Sequence, residues 1–342
     1  MKQLRCAVIG CGRIGCGFDD DSKNKMIRTH AGSYFHNKNT KLVALCDIDK
    51  IKLHNYGKKY QILGLYSNSS EMFKNEKIDC VSVCTLADTH FELVKDAVKF
   101  NVKGIFLEKP ICDNLKDADQ IIRLCKKHDI ILAIDHQRRF DPFYHSIKEF
   151  LTQGKLGDIQ LINVYYGSGI SNTGSHMFDI IRFFFGEVAS VEGNFSKNKS
   201  VNTQDPNIDV ILEFTNKTLC RIQSLDWRHY ASFEMDIFGT LGRLRLNLVS
   251  NEITYLNVSS KDSLVYKKLI PADLKVKKSK HSAIELGVQN LVSSVRKKME
   301  PQCSGEDGYK SLELIIAAIQ SARKKRKIFL PLSKNNYKIS SK

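Results

Sequence analysis

Gly10-Cys11-Gly12-Arg13-Ile14-Gly15 follows directly on the apolar run Cys6-Ala7-Val8-Ile9. Glycines at this spacing, where a strand turns into a helix, allow backbone amides to close on a pyrophosphate. The first permits the tight turn, the second the approach of the backbone, and the third close packing of helix on strand. The helix N-terminus then supplies positive partial charge to the anion. Dinucleotide binding through Gly10, Gly12, Arg13, Ile14 and Gly15 is therefore expected.

A second apolar run, Lys41 to Cys46, ends at Asp47. A carboxylate there can accept hydrogen bonds from the adenosine ribose hydroxyls and repels a 2′-phosphate, so NAD is expected as cofactor in preference to NADP. Asp47 lies thirty-two residues past Gly15, against about 20 in the usual fingerprint. The surplus falls in the polar, turn-rich stretch 17–25, read as a loop inserted before a helix that resumes near Thr29 and His30. Such a loop is either a lid over the ligands or a surface excursion.

Further reactive residues stand where apolar runs end. Cys80–Cys84 leads to Thr85 and, five residues later, His90; Gly104–Leu107 leads to Glu108-Lys109-Pro110. Open α/β sheets bind ligands at the carboxyl ends of their strands, so Thr85, His90, Glu108 and Lys109 join the expected cofactor-binding set. Arg139 follows a later run and can meet a substrate hydroxyl, carboxylate or phosphate, or else form a structural salt bridge. Trp227-Arg228 is a weaker candidate for the same pocket. A helix over Thr173 to Phe185, ended by Gly186, would turn Met177, Ile180, Ile181 and Phe184 to the core and give His176 and Asp179 a shared polar face, with Asn172 just before it. Asp19-Asp20-Asp21 lacks the glycine and distal Glu of a calcium loop, and no metal site is expected.

The elements that must hold these residues change character along the chain. Up to about residue 135, short apolar runs (Leu4–Ile9, Lys41–Cys46, Cys80–Cys84, Gly104–Leu107, Ile130–Ile134) alternate with amphipathic stretches such as His90 to Phe100, the pattern of a doubly wound parallel sheet. From about Asp158 the period becomes two. Ile208, Val210, Leu212 and Phe214 face one way, and Leu161–Tyr166, Val188–Phe195, Leu219–Leu225, Phe233–Phe238, Leu244–Leu248 and Ile253–Val258 are further strands. The expected architecture is α/β: a Rossmann domain over 1–137 and, over 138–342, an α+β substrate and oligomerisation domain with a large, mainly antiparallel sheet. Ser311 to Ala322 is expected as a helix, and the polar last ten residues as frayed.

Composition narrows the function. The chain of 342 residues is 42% hydrophobic and 26% charged, as in globular proteins. Its N-terminus runs straight into a strand without a signal-like apolar core, and no apolar run approaches the roughly 18 residues of a membrane span, so a cytoplasmic protein without a membrane partner is expected. Ten scattered cysteines form no CxxC pair and read as reduced and mostly buried. The net charge of +16 is dispersed, with dense runs only at 275–280 and 323–327. Neither run is accompanied by interleaved aromatics or a recognition helix, so no nucleic-acid partner is expected, and the charge reads as a lysine-rich solvated surface, with attraction of an anionic small substrate as the alternative.

The ordered set of Gly10–Gly15, Glu108-Lys109-Pro110, the segment His136 to Pro142, Gly174-Ser175-His176-Met177-Phe178-Asp179, Ile237 to Gly242 and Cys303 to Asp307 resembles the Gfo/Idh/MocA oxidoreductases, relatives of glucose–fructose oxidoreductase and inositol dehydrogenase. The resemblance covers essentially the whole chain. It implies hydride transfer between nicotinamide C4 and a carbon of a sugar or sugar derivative, with Lys109 at the reacting hydroxyl and nicotinamide ribose and His176 as acid and base. Those residue types suit the task, since an ammonium stabilises a developing alkoxide and an imidazole exchanges protons near neutrality. The family commonly has an Asp four residues before the His, where this chain has Asn172; some members acting on nucleotide-linked N-acetyl sugar acids are similar in having Asn. Arg139, Asn172 and Asp179 are accordingly expected on the substrate, which is expected to be a nucleotide-linked or phosphorylated sugar. A homodimer or homotetramer through the C-terminal sheet is also implied. The rival reading is a dinucleotide-binding sensor or regulatory protein that kept the fold and lost turnover.

Overall fold

Six apolar runs, β1 (Leu4–Ile9), β2 (Thr40–Cys46), β3 (Gly64–Tyr66), β4 (Cys80–Val83), β5 (Gly104–Leu107) and β6 (Ile131–Ile134), pair in parallel in the order β3-β2-β1-β4-β5-β6. Strand order reverses beside β1, which makes the cleft at the carboxyl ends of β1 and β4 the place for a ligand. The computed structural model describes residues 2–21, 26–260, 266–333 and 337–340. The central strands are apolar on both faces because helices cover both: β4 and β5 are buried throughout. Helices α1 (His30–His36), α2 (Lys50–Tyr60), α3 (Ser69–Asn75), α4 (His90–Lys99) and α5 (Leu115–Lys127) connect the strands. Their starts are capped by Thr29, Asp49, Asn68 and, on α5, Asn114.

The second sheet has nine strands: β7 (Ile159–Tyr166), β8 (Val188–Phe195), β9 (Ile208–Phe214), β10 (Leu219–Ser224), β11 (Glu234–Gly239), β12 (Gly242–Asn247), β13 (Glu252–Val258), β14 (Leu269–Ala272) and β15 (Ile328–Phe329). Their order is β14-β13-β12-β11-β7-β10-β9-β8-β15, antiparallel except where β10 runs beside β7. Along β9 the expected residues Ile208, Val210, Leu212 and Phe214 are buried. Helices α6 (Pro142–Thr152), α7 (Gly174–Phe185), α8 (Ala283–Lys297) and α9 (Gly305–Lys324) complete the fold. Phe185 of α7 meets Phe214 of β9 at 5.9 Å between ring centroids. Met177, Ile180, Ile181 and Phe184 are buried, as their spacing requires.

The α/β reading holds, with three differences. The chain divides at 141/142, and residues 279–312 and 334–342 belong to the first unit, not the second. The reason is visible in α8: Gly287 lies where a Cβ would be 2.6 Å from the Phe106 ring of β5, and Arg296 donates to Asn39 at 2.8 Å. Strand β3, three half-buried residues at the sheet edge, carries too little pattern to be read from sequence. The tail is not frayed over 337–340: Ile339 is buried, its amide donates to the Asp113 carbonyl at 2.9 Å, and Lys338 pairs with the buried Asp113 carboxylate at 3.1 Å. All ten cysteines are buried free thiols, and among the described residues no helix is long and apolar enough to cross a membrane.

Candidate active site

One register row organises the first unit. Cys46, Ile9, Val83, Leu107 and Ile134 stand side by side across β2, β1, β4, β5 and β6. The residue after each is tied to the last residue of a neighbouring strand: Gly10 N–H to Cys46 O, Cys84 N–H to Ile9 O, Glu108 N–H to Val83 O and Asp135 N–H to Leu107 O, at 2.7–3.0 Å. Asp47, Gly10, Cys84, Glu108 and Asp135 therefore form the carboxyl edge of the sheet, neighbours at the roughly 4.8 Å strand spacing.

The glycines fit a dinucleotide on geometry alone. Gly10 has φ +94°, and a Cβ on Gly15 would fall 1.9 Å from the Gly10 carbonyl, so both are dictated by the protein itself. A Cβ on Gly12 would meet nothing within 4 Å, which leaves the open approach that a pyrophosphate needs. The turn that begins at Gly12 is interrupted and then resumed. Gly12 O accepts from Cys16 and Gly17, while Ile14 O and Gly15 O accept from His30 and Ala31, at 2.9–3.2 Å. The helical path that breaks off at Gly17 thus resumes near Thr29, and without the twelve intervening positions the Gly15-to-Asp47 spacing falls to about 20, the usual value. Within the excursion Asp19 accepts from the Arg28 amide and the Thr29 hydroxyl. Phe18 lies under the Arg13 and Arg28 guanidiniums at 4.8 and 5.5 Å. Residues 22–25 of the expected loop lie outside the described residues.

Asp47 holds the glycine turn. Oδ2 accepts from Cys11 N–H at 2.6 Å and Oδ1 from Asp49 N–H at 2.8 Å, and a carboxylate has lone pairs left for ribose hydroxyls. Thr85 exchanges a hydrogen bond with Thr89 at 2.7 Å. His90, expected on the cofactor, is fully buried instead. Its ring nitrogens lie 3.2 Å from the Ile111 and Thr85 carbonyls, tying the loops after β4 and β5 together. Burial lowers its pKa despite those carbonyls.

Glu108 also turns inward. Its Oε2 accepts from the Lys109 amide at 3.2 Å, and its Oε1 lies 3.1 Å from His30 Nε2 on α1. Asp135 Oδ2 lies 3.4 Å from the same nitrogen, and His30 Nδ1 lies 2.9 Å from Ser82 Oγ. Burial works against charge on His30, yet Cys84, Asp135 and Glu108 raise its pKa well above the ordinary value. Glu108 is held low against its own burial by His30. Burial and the Glu108 charge push Asp135 up to about 7. His30, Glu108 and Asp135 bring donor atoms within 4.8 Å of one another, distances that proton sharing between an imidazolium and two carboxyls accounts for. Sequence reasoning missed His30 and Asp135; the signal was their position, Asp135 one residue past a strand and His30 at the start of the resumed helix. Lys109 itself is half-buried and precedes a cis proline.

In the second unit His176 is half-buried on the first turn of α7, and Asp179 is buried one turn on. The α-helix is entered through a π-turn over Gly169–Thr173 that Asp205, also missed from sequence, pins by accepting from Ser171 N–H at 2.8 Å and Asn172 N–H at 2.9 Å. The Asn172 amide group donates to Ser168 O and Oγ at 3.3 and 3.4 Å. Arg139, read as either a substrate ligand or a structural pair, forms the pair: its guanidinium, 8% exposed, meets Asp307 at 2.9 Å. Arg228 forks onto Asp226, and Trp227 Nε1 donates to Ser232 O.

The comparisons with known proteins agree with this geometry. The model of the oxidoreductase family's NAD-binding Rossmann fold matches residues 4–136, and that of its C-terminal alpha/beta domain matches 166–330. The chain is 26% identical to D-apiose dehydrogenase of Paraburkholderia graminis, over 96% of this chain and 90% of the relative. It is 27% identical to myo-inositol 2-dehydrogenase of Thermotoga maritima, over 96% and 98%. In fold it is similar to the WlbA dehydrogenase of Bordetella pertussis solved with NADH and UDP-GlcNAcA, with TM-score 0.78 and 20% identity over 97% and 100% of the two chains. Since both of the family's domains match in order and together span most of the sequence, the chain belongs to the Gfo/Idh/MocA oxidoreductases and carries that family's NAD-binding Rossmann domain.

Proposed function

We propose that the protein is an NAD-dependent dehydrogenase of a sugar or polyol hydroxyl. The observation that carries this is the carboxyl-edge row, which sets the glycine turn, Asp47 and the Lys109 loop on one hydrogen-bonded edge. Gly12 leaves room for the pyrophosphate, Asp47 takes the adenosine ribose, and Thr85 flanks the cofactor. When bound, NAD supplies a hydride acceptor at nicotinamide C4. Lys109 donates to the substrate oxygen and stabilises the negative charge that grows as its proton leaves. His176 Nε2 or Nδ1 receives that proton, a task matched to an imidazole. Relatives named for apiose and inositol support a small polyhydroxylated substrate. The net charge of +16 and the neutral Asn172 before His176 support the narrower reading of a phosphorylated or nucleotide-linked sugar.

The test is an absorbance screen for NADH formation with pentoses, inositols, sugar phosphates and nucleotide sugars, repeated on Lys109→Met. The expected result is turnover in one substrate class and a loss of at least about 10²-fold in the variant. Tight NADH binding without turnover on any class overturns the reading, as does wild-type turnover by the variant.

A further inference from the structure

The buried polar groups beneath Lys109 are more than the Rossmann fold requires. His30 is completely enclosed, its ring edge-on to Phe106 at 4.9 Å. Ser82 Oγ bridges the ring to Tyr34, lying 2.9 Å from His30 Nδ1 and 3.0 Å from Tyr34 Oη. His30 Nε2 lies 3.1 Å from Glu108 Oε1 and 3.4 Å from Asp135 Oδ2, and the Cys84 thiol is a further neighbour of the ring. The two neighbouring carboxyls favour the protonated, imidazolium form of the ring. Neither Asp135 oxygen completes an aligned hydrogen bond, although the residue is 1% exposed. A buried carboxylate in that condition is costly, and the proton it takes up when neutral is shared with its neighbours.

We propose that His30, Glu108 and Asp135 are positioning residues for hydride transfer: a buried proton-sharing cluster that holds the Lys109 amide through Glu108 Oε2, so that the number of protons in the cluster sets the placement of the Lys109 ammonium. The inference rests on the proposed role of Lys109 and adds the control of that residue. The chain of contacts is short. Oε1 of Glu108 is fixed by the imidazolium and Oε2 by Lys109 N–H, so a change of charge at His30 or Asp135 turns the carboxylate that anchors the lysine. The other titratable groups facing the cluster are Cys84 at the end of β4, Tyr34 through Ser82, His90 on α4 and Lys109 itself. Burial raises Cys84 to about 11, which keeps its thiol neutral through the range where Asp135 titrates.

The experiment uses ¹³C-dimethyl-lysine NMR of the full chain without substrate, with the Lys109 signal identified by its absence from Lys109→Met, alongside pH profiles of kcat. The expected result is a Lys109 signal that shifts near neutral pH in the wild type and is flat in Asp135→Asn, which keeps the shape of the protonated acid, and in His30→Gln. In His30→Gln kcat should fall about 10-fold or more while NADH affinity changes less than about threefold, a split that general loss of structure does not give. An unaltered Lys109 titration in both variants overturns the proposal. So does stoichiometric zinc in the purified protein, which would make the three side chains ligands. If no sugar is turned over but the Lys109 shift is present and lost in the variants, the cluster's hold on Lys109 is supported and the substrate reading fails separately.

Discussion

The two units fix their reactive side chains by different means. In the first, the Lys109 amide donates to the Glu108 carboxylate, whose other oxygen lies beside the buried His30 ring, with the Asp135 carboxyl next to the same ring nitrogen. In the second, His176 follows a π-turn whose Ser171 and Asn172 amides are gathered by Asp205, with the Gly169 amide held by Asn207 and the Ile170 amide by the Pro206 carbonyl. Several buried ionisable groups in contact exchange protons among themselves, so the geometry they impose varies with pH. A carboxylate bound to backbone amides acts as a fixed staple. The contrast is broken most severely by Asp205→Ala, which strands two buried amides. The expected result is a loss of about 10²-fold in kcat/KM, since misplacing an acid–base group by about 1 Å costs that much. NADH affinity, read by fluorescence titration, should stay within about twofold because no residue of the glycine turn is touched. An equal loss of NADH binding would show that Asp205 supports the whole fold rather than the His176 helix.

A second test sets the charge cluster against itself. Asp135 in the folded chain binds its proton up to about pH 7, whereas in the unfolded chain it releases it near 3.9. Between those values the native state holds the extra proton, so this group makes stability fall as pH rises. His30, raised above its unfolded value, contributes in the same direction above about pH 6.5. Glu108 is held low and contributes loss only in acid. Asp135→Asn cannot ionise. Its unfolding free energy should match that of the wild type near pH 4 and exceed it by up to roughly 4 kcal/mol at pH 8, as measured by urea titration. A constant difference across that range would mean that Asp135 is not the group that titrates.

Much of the first unit was legible because parallel strands buried on both faces write themselves as apolar runs, and because glycines forced by φ or by contact leave a motif. The glycine turn was read in this way, and Asp47 and Lys109 were read from their places just past apolar runs. His30 and Asp135 were not, because their meaning depends on register: nothing in the sequence says that the residues after β4, β5 and β6 form one row, or that α1 restarts beneath it after a twelve-residue excursion. His90 was read as a ligand group, and Arg139 as either a ligand group or a structural pair, because polar residues near strand ends look alike in sequence, whether they face a ligand or a neighbouring loop. Asp205 was invisible for a related reason. It lies some thirty residues from the turn it pins, among polar residues of ordinary loop composition. The alternation of β7 to β13, by contrast, was plain, since one face of that sheet is buried and the period of two records it.

Asp47 refines the contrast, because it lies in the charge-rich unit yet uses the other unit's device. Its two oxygens are each taken by a backbone amide, one in the glycine turn and one at the start of α2. The remaining lone pairs are the ones a ribose would meet, and its negative charge is what a 2′-phosphate would oppose. Asp47→Asn keeps one acceptor oxygen and removes the charge. If Asp47 is chiefly a staple, the glycine turn loosens, and NADH and NADPH affinities fall together. If it is chiefly a discriminator, NADH affinity should fall about 10-fold, the loss of one charge-assisted pair of hydrogen bonds, while NADPH affinity holds or rises. The amide contacts survive in part with Asn, whose carbonyl still accepts one of them. The expected outcome is therefore the second: a change of at least about 10-fold in the ratio of the two affinities, with little change in thermal stability.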